Sequence, residues 1–162
     1  MVITIRIYRK FASRVNRARL ARVARKTLRA ENAPANVALT IYVTDDVEMC
    51  ALNHKFHATD ASTDVLSFPA KIEGYLGDVA ISYERAREQA HAAHWRIADE
   101  LDLLAVHGTL HLLGYDDRTP RKRTRMWKRQ REILGREVKE SNVKRKVAFH
   151  VSRFTLLNSR RQ

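Results

Sequence analysis

The segment that organises this chain is residues 107–117, His-Gly-Thr-Leu-His-Leu-Leu-Gly-Tyr-Asp-Asp. Two histidines four residues apart on a helix lie on one face, so the rings of His107 and His111 can converge on one ion. Gly114 can adopt a positive φ and reverse the chain, which brings Asp117 back over that face. Two nitrogens and one carboxylate leave a fourth tetrahedral position open for water, as catalytic zinc sites require. The segment therefore predicts a metal site on a helix and on the loop after it.

A metal held in this way predicts a hydrolase, because bound Zn²⁺ lowers the pKa of its water to about 7 and polarises the group under attack. Peptide and phosphodiester bonds are both possible targets. The spacing His-x-x-x-His-x-x-Gly-x-x-Asp is also that of metzincin-type proteases, which need a glutamate directly after the first histidine as general base. This chain has Gly108 there, and glycine transfers no proton, so the protease interpretation is disfavoured.

Hydrophobic periodicity on either side of this segment predicts an α+β fold, a small mixed β-sheet packed against several helices. Alternating Ile3, Ile5 and Ile7 indicate a first strand, and Pro69 and Gly74 indicate where later elements end. The predicted strands are 3–7, 37–44, 64–68 and 77–82. The predicted helices are 11–28, 45–54, 83–94, 97–112 and 120–134, the second with Asp45 as its N-cap.

Charge is strongly segregated along the 162 residues, whose formal net charge is +13. Residues 1–30 carry +10, residues 31–117 carry −10 and residues 118–162 carry +13. Basic ends favour a polyanionic partner, whereas clustered carboxylates favour a metal. The single cysteine, Cys50, excludes a disulfide framework, and no apolar run reaches the ~18 residues of a membrane span. We expect a soluble protein of a reducing compartment.

Four blocks of the sequence resemble the YbeY family of endoribonucleases. They are Leu52-Asn53 with the later Thr-Asp-Val-Leu-Ser-Phe-Pro of residues 63–69, Leu76-Gly77-Asp78, residues 107–117 preceded by Glu100-Leu101, and Met126 with Ile133-Leu134. The resemblance predicts a YbeY-like metallohydrolase domain over residues 1–138 and leaves residues 139–162 as a basic C-terminal extension.

This resemblance implies a zinc-dependent endoribonuclease with one Zn²⁺ per chain, specific for single-stranded RNA. The implied role is ribosomal RNA maturation and ribosome assembly or quality control in the bacterial cytoplasm. The expected partners are ribosomal RNA and the small ribosomal subunit, with no DNA and no membrane. A non-catalytic, metal-stabilised RNA-binding assembly factor and a metzincin-like metalloprotease remain as alternatives.

Two positions depart from the family pattern. The third metal-binding histidine of the family is replaced by Asp117, a harder and charged ligand that makes other divalent metals possible. An arginine of the family is replaced by His57, which we predict to be catalytic, holding a phosphate or a proton. Ser67 is predicted to bind substrate. Asp64 and Asp78 could orient the metal ligands, although turn and cap chemistry at strand ends is slightly favoured for both.

Overall fold

The computed structural model describes residues 1–57 and 63–135, without the side chain of His57. Its four strands are β1 (Val2–Ile7), β2 (Ala38–Thr44), β3 (Val65–Ile72) and β4 (Tyr75–Ser82). Its five α-helices are α1 (Arg17–Ala30), α2 (Asp46–His57), α3 (Tyr83–Ala92), α4 (Ile97–Leu112) and α5 (Pro120–Leu134). The predicted extension 139–162 lies outside the described residues. Within the described residues, no helix is both long and apolar enough to cross a membrane.

The four strands form one mixed sheet in the order β1-β2-β4-β3. β1 pairs with β2, and β2 with β4, in parallel, whereas β3 and β4 form an antiparallel hairpin. The α+β class and the small mixed sheet predicted from the sequence are confirmed.

The hairpin differs from prediction at Pro69, which lies inside β3 rather than ending it. β3 is an edge strand, where the missing N–H of a proline can face outward without breaking the sheet. Gly77, opposite Pro69, has a φ of +132°, and a Cβ there would lie 2.1 Å from the carbonyl oxygen of Phe68. Only glycine fits this close approach of the two backbones.

The first helix also differs from prediction, because it begins at Arg17 and not near Phe11. A 3-10 turn covers Arg9–Phe11, and the side chain of Asn16 then caps α1 by accepting from the Arg19 N–H at 2.9 Å. Phe11 is buried outside the helix and stacks on the ring of Tyr83, with centroids 4.3 Å apart. The apolar spacing that predicted a longer helix is therefore satisfied by a turn and a loop.

Helix α4 lies at the centre of the molecule and is buried on nearly all sides. It packs on the sheet face that carries Val79, while α2 packs through Met49 against Leu66 and Ala80 on the other face. A helix that is apolar around most of its circumference can be stable only in such an interior position. The last two turns of α4 carry the two histidines of the predicted metal site.

Candidate metal centre

Helix α4 brings the two histidines together one turn apart. The Nε2 atoms of His107 and His111 lie 3.0 Å apart, and the rings meet edge to face with centroids 4.6 Å apart. His107 is buried and His111 is half-buried. Two imidazole nitrogens this close, on a rigid interior helix, form a preorganised pair of ligands.

The loop after α4 supplies the third group. Gly114 has a φ of +90°, and the N–H groups of Gly114 and Tyr115 donate to the carbonyls of His111 and Leu110, which closes the end of the helix. The reversal places Asp117 Oδ2 4.0 Å from each histidine Nε2. The predicted trio thus converges, and within the described residues it is the one cluster of histidine, cysteine or carboxylate groups that could hold a metal.

The three atoms fit a small divalent ion. They form a triangle with sides of 3.0, 4.0 and 4.0 Å, whose centre lies about 2.2 Å from each atom, close to the ~2.0–2.2 Å of zinc–nitrogen and zinc–oxygen bonds. Two imidazole nitrogens and a carboxylate oxygen are also a donor set that zinc accepts. The residues present therefore match such an ion in both size and chemistry.

The tautomer of His111 is fixed by the same loop. Its Nδ1 lies 2.9 Å from the carbonyl oxygen of Tyr115. A carbonyl can only accept, so Nδ1 carries the proton and donates, which leaves the lone pair of Nε2 directed at the cluster. Such an acceptor behind a ligating histidine orients the ring and raises its basicity.

The two adjacent aspartates of the loop, Asp116 and Asp117, make different contacts. Asp116 forms ion pairs with Arg118 and Lys122 at 2.8 and 2.9 Å, and hydrogen bonds from Arg118 hold the pKa of its carboxyl well below the usual range. Asp117 instead turns its carboxylate toward the histidines, and its carbonyl accepts from Arg123 Nε at 3.2 Å. Of the two adjacent acids, Asp117 is the one placed to bind a metal.

A network from distant parts of the chain holds this loop. The Tyr115 hydroxyl donates to Glu31 Oε2 at 2.9 Å, and Arg129 of α5 donates to Glu31 Oε1. Burial and the Glu31 carboxylate raise the pKa of Tyr115, so its hydroxyl stays protonated and donating. We did not anticipate Glu31 and Arg129 from the sequence, because 98 residues separate them and no local pattern connects them.

Residue 108 explains why no protease-like base can occupy this site. A Cβ on Gly108 would lie 2.4 Å from Val79 Cγ1 and 3.2 Å from Ser67 Oγ. The backbone of α4 therefore lies directly against the sheet, and a glutamate side chain has no space there.

The other predicted residues lie in several places. The Ser67 hydroxyl donates to the Gly108 carbonyl at 3.1 Å, on the metal-binding helix. Asp64 is buried and accepts from Gln89, and Asp78 is exposed and accepts from the Tyr75 hydroxyl, so neither belongs to the cluster. His57 ends α2, and its side chain lies outside the described residues.

Fold and site together define an α+β protein with a two-histidine, one-aspartate centre at the end of its central helix. A profile of the family described as Endoribonuclease YbeY matches residues 6–137. The chain is similar to the Endoribonuclease YbeY of Roseiflexus castenholzii, with 36% identity over 83% of this chain and 92% of the relative. For that of Chloroflexus aurantiacus, identity is 42% over 70% of this chain and 81% of the relative.

The same fold occurs in the solution structure of TM1509 from Thermotoga maritima. The TM-score is 0.56 at 24% identity, covering 83% of this chain and 90% of that one. The protein described here belongs to the YbeY endoribonuclease family, and the resemblance noted in its sequence is confirmed.

Proposed function

We propose that this protein is a zinc-dependent endoribonuclease that cuts single-stranded RNA during ribosomal RNA maturation and ribosome assembly or quality control. The observation that carries the proposal is the convergence of His107, His111 and Asp117 in a chain of the YbeY family. The proposed place of action is the bacterial cytoplasm, on ribosomal RNA and the small ribosomal subunit and not on DNA. We further propose residues 1–138 as the catalytic unit and 139–162 as its extension.

The three residues would hold one ion through two imidazole nitrogens and one carboxylate oxygen. When bound, zinc supplies a water that is acidic near neutral pH and a positive charge that stabilises the attacked phosphate. The chain's own contribution is orientation. Tyr115 fixes the His111 ring through its carbonyl, and Gly114 sets the turn that brings in Asp117. Because Asp117 is a harder ligand than histidine, other divalent metals can replace zinc more readily.

Two further residues complete the proposal. His57 is proposed to hold a phosphate oxygen or to transfer a proton, because an imidazole can be protonated or neutral near physiological pH. Ser67 is proposed to contact the substrate, supported by its position against the backbone of the metal-binding helix.

A paired set of variants tests the metal site. We expect purified wild type to hold one zinc per chain by elemental analysis and to cut single-stranded RNA, and expect Asp117→Asn and His111→Ala to lose both properties. Asp116→Asn is the matched control, because its carboxylate pairs with Arg118 and Lys122 instead. Zinc-free wild type, or full zinc content in His111→Ala, would overturn the proposal.

A second comparison separates an enzyme from an RNA-binding assembly factor. Cleavage by wild type and by His57→Ala is compared at matched occupancy of the RNA. A large loss in the variant supports catalysis by His57. Equal background rates in both proteins would assign the chain to binding alone. Cleavage of an unstructured polypeptide, abolished by a chelator, would instead support the metalloprotease alternative.

A further inference from the structure

A basic groove lies between α1 and the C-terminal end of α5, and none of the three metal-binding residues lines it. It has a volume of about 400 Å³. Its lining combines cations with an apolar floor and includes Arg22, Val23, Lys26, Ile133 and Leu134. We call it the α1/α5 groove.

The positive charge of this groove is not neutralised from within. Its one carboxylate, Asp102, is already bound by Arg19 at 2.7 and 2.9 Å. Arg22 and Lys26 are exposed, and no carboxylate pairs with either of them within the described residues. Helix α1 contains no acidic residue at all. Two uncompensated cations therefore border the groove.

The chemistry of the groove suits a phosphodiester backbone. Arg22 and Lys26 are four residues apart, so they project from the same side of α1 about 6 Å apart along its axis. That separation allows contact with successive phosphates of one strand. Leu134, which is half-buried over the buried Val23 and Ile133, offers apolar contact to sugars and base faces. A polyanion with apolar faces between its charges matches this pattern better than a small anion does.

The groove adjoins the metal centre without containing any of its ligands. Asp102, which lines the groove, precedes His107 by five residues on α4, or about 7.5 Å along the helix axis. A strand bound by Arg22 and Lys26 would therefore lie beside the metal and not on it. This position is that of an accessory binding site next to the cleavage point.

We propose that the α1/α5 groove is an RNA exosite, which holds the backbone of a single-stranded substrate beside the cleavage point through Arg22 and Lys26. The inference rests on the proposed function for the identity of its ligand. It adds to that function a requirement for substrate length that the metal centre alone does not create.

The test compares two double variants of the full chain that remove the same charge. Arg22→Gln with Lys26→Gln alters the groove, and Arg87→Gln with Lys71→Gln, on α3 and β3, removes one exposed arginine and one exposed lysine elsewhere. Binding of a long fluorescent single-stranded RNA is measured by anisotropy at several salt concentrations, with His111→Ala added to every protein to prevent cleavage. Holoenzyme cleavage is measured on the same RNA and on an oligonucleotide too short to reach the groove.

Loss of two phosphate contacts predicts an affinity about 15-fold weaker near 0.15 M salt, and a salt slope lower by about 1.4, in the groove variant alone. Its kcat/KM should fall on the long RNA and remain unchanged on the short one. Equal losses of RNA affinity in both double variants, or no loss of affinity in the groove variant, would overturn the exosite proposal. Unchanged RNA binding with lost binding of polyglutamate would also overturn it and assign the groove to an acidic protein. A wild type that cuts no RNA would refute the proposed function, while the binding comparison would still decide the exosite.

Discussion

The close contact between α4 and the sheet gives the sharpest test of this structure, through Gly108→Ala. The change adds one methyl group, which in an unconstrained helix stabilises by about 1 kcal/mol because alanine is the better helix former. Here the new Cβ would lie 2.4 Å from Val79 Cγ1 and 3.1 Å from Cγ2. Packing and helix propensity therefore predict opposite signs for one substitution.

The magnitude follows from how little the helix can retreat. Carbon atoms pack best at about 3.5–4.0 Å, so relief of the clash needs a shift of about 1 Å. Helix α4 is buried on nearly all sides and has no open direction to move into. Overpacking of a dense core costs about 1–3 kcal/mol. After subtraction of the propensity gain, we expect a net loss of about 0–2 kcal/mol in the free energy of unfolding.

Urea denaturation of four proteins measures this balance: wild type, Gly108→Ala, Val79→Ala and the double variant. Val79→Ala removes both clashing methyl groups, so the double variant should be more stable than the sum of the single losses predicts, by about 1–3 kcal/mol. Metal affinity should fall in Gly108→Ala and recover in the double variant, because His107 is the adjacent residue. A Gly108→Ala protein more stable than wild type, or strictly additive losses, would refute the packing described here.

Three further predictions concern interactions away from that contact. Tyr115→Phe removes the hydroxyl that donates to Glu31 and should weaken metal binding about 10-fold. Competition with a chromophoric chelator measures this affinity, and an unchanged value would show that the network does not position His111. Arg19→Met leaves the Asp102 carboxylate without its arginine and should lower the free energy of unfolding by about 3 kcal/mol, measured with urea. A loss below about 1 kcal/mol would mean that the pair contributes no more than a surface ion pair does. Glu84→Gln should flatten the fall in Tm on acidification. Hydrogen bonding from the Asp46 N–H and from Lys10 lowers the pKa of Glu84 in the folded protein. The contribution of Glu84 to the free energy of unfolding is therefore present above its ordinary pKa and is lost as the pH falls below that value. An unchanged dependence of Tm on pH in the variant would contradict this.

Local signals located most of the elements. The alternation of Ile3, Ile5 and Ile7 indicated β1, and Pro120 and Gly135 marked the ends of α5, where Gly135 adopts a φ of +67°. These positions were predictable because turn, cap and strand preferences act between residues close in the chain. The errors at residues 11–16 and at Pro69 arose where tertiary context outweighed those preferences: a loop can bury Phe11, and an edge strand tolerates proline.

The sequence by itself determined that His107 and His111 share a helix face and that Asp117 can return to them after Gly114. Helix geometry and the φ of glycine enforce both relations within eleven residues. Only the tertiary structure decided which arginines of α1 form ion pairs within the protein and which remain available to a ligand. Arg19 and Arg22 look equivalent in the sequence, yet one neutralises Asp102 and the other borders an open groove. That difference depends on the packing of α1 against α4 and α5, because an ion pair between groups more than 80 residues apart exists only once the chain has folded.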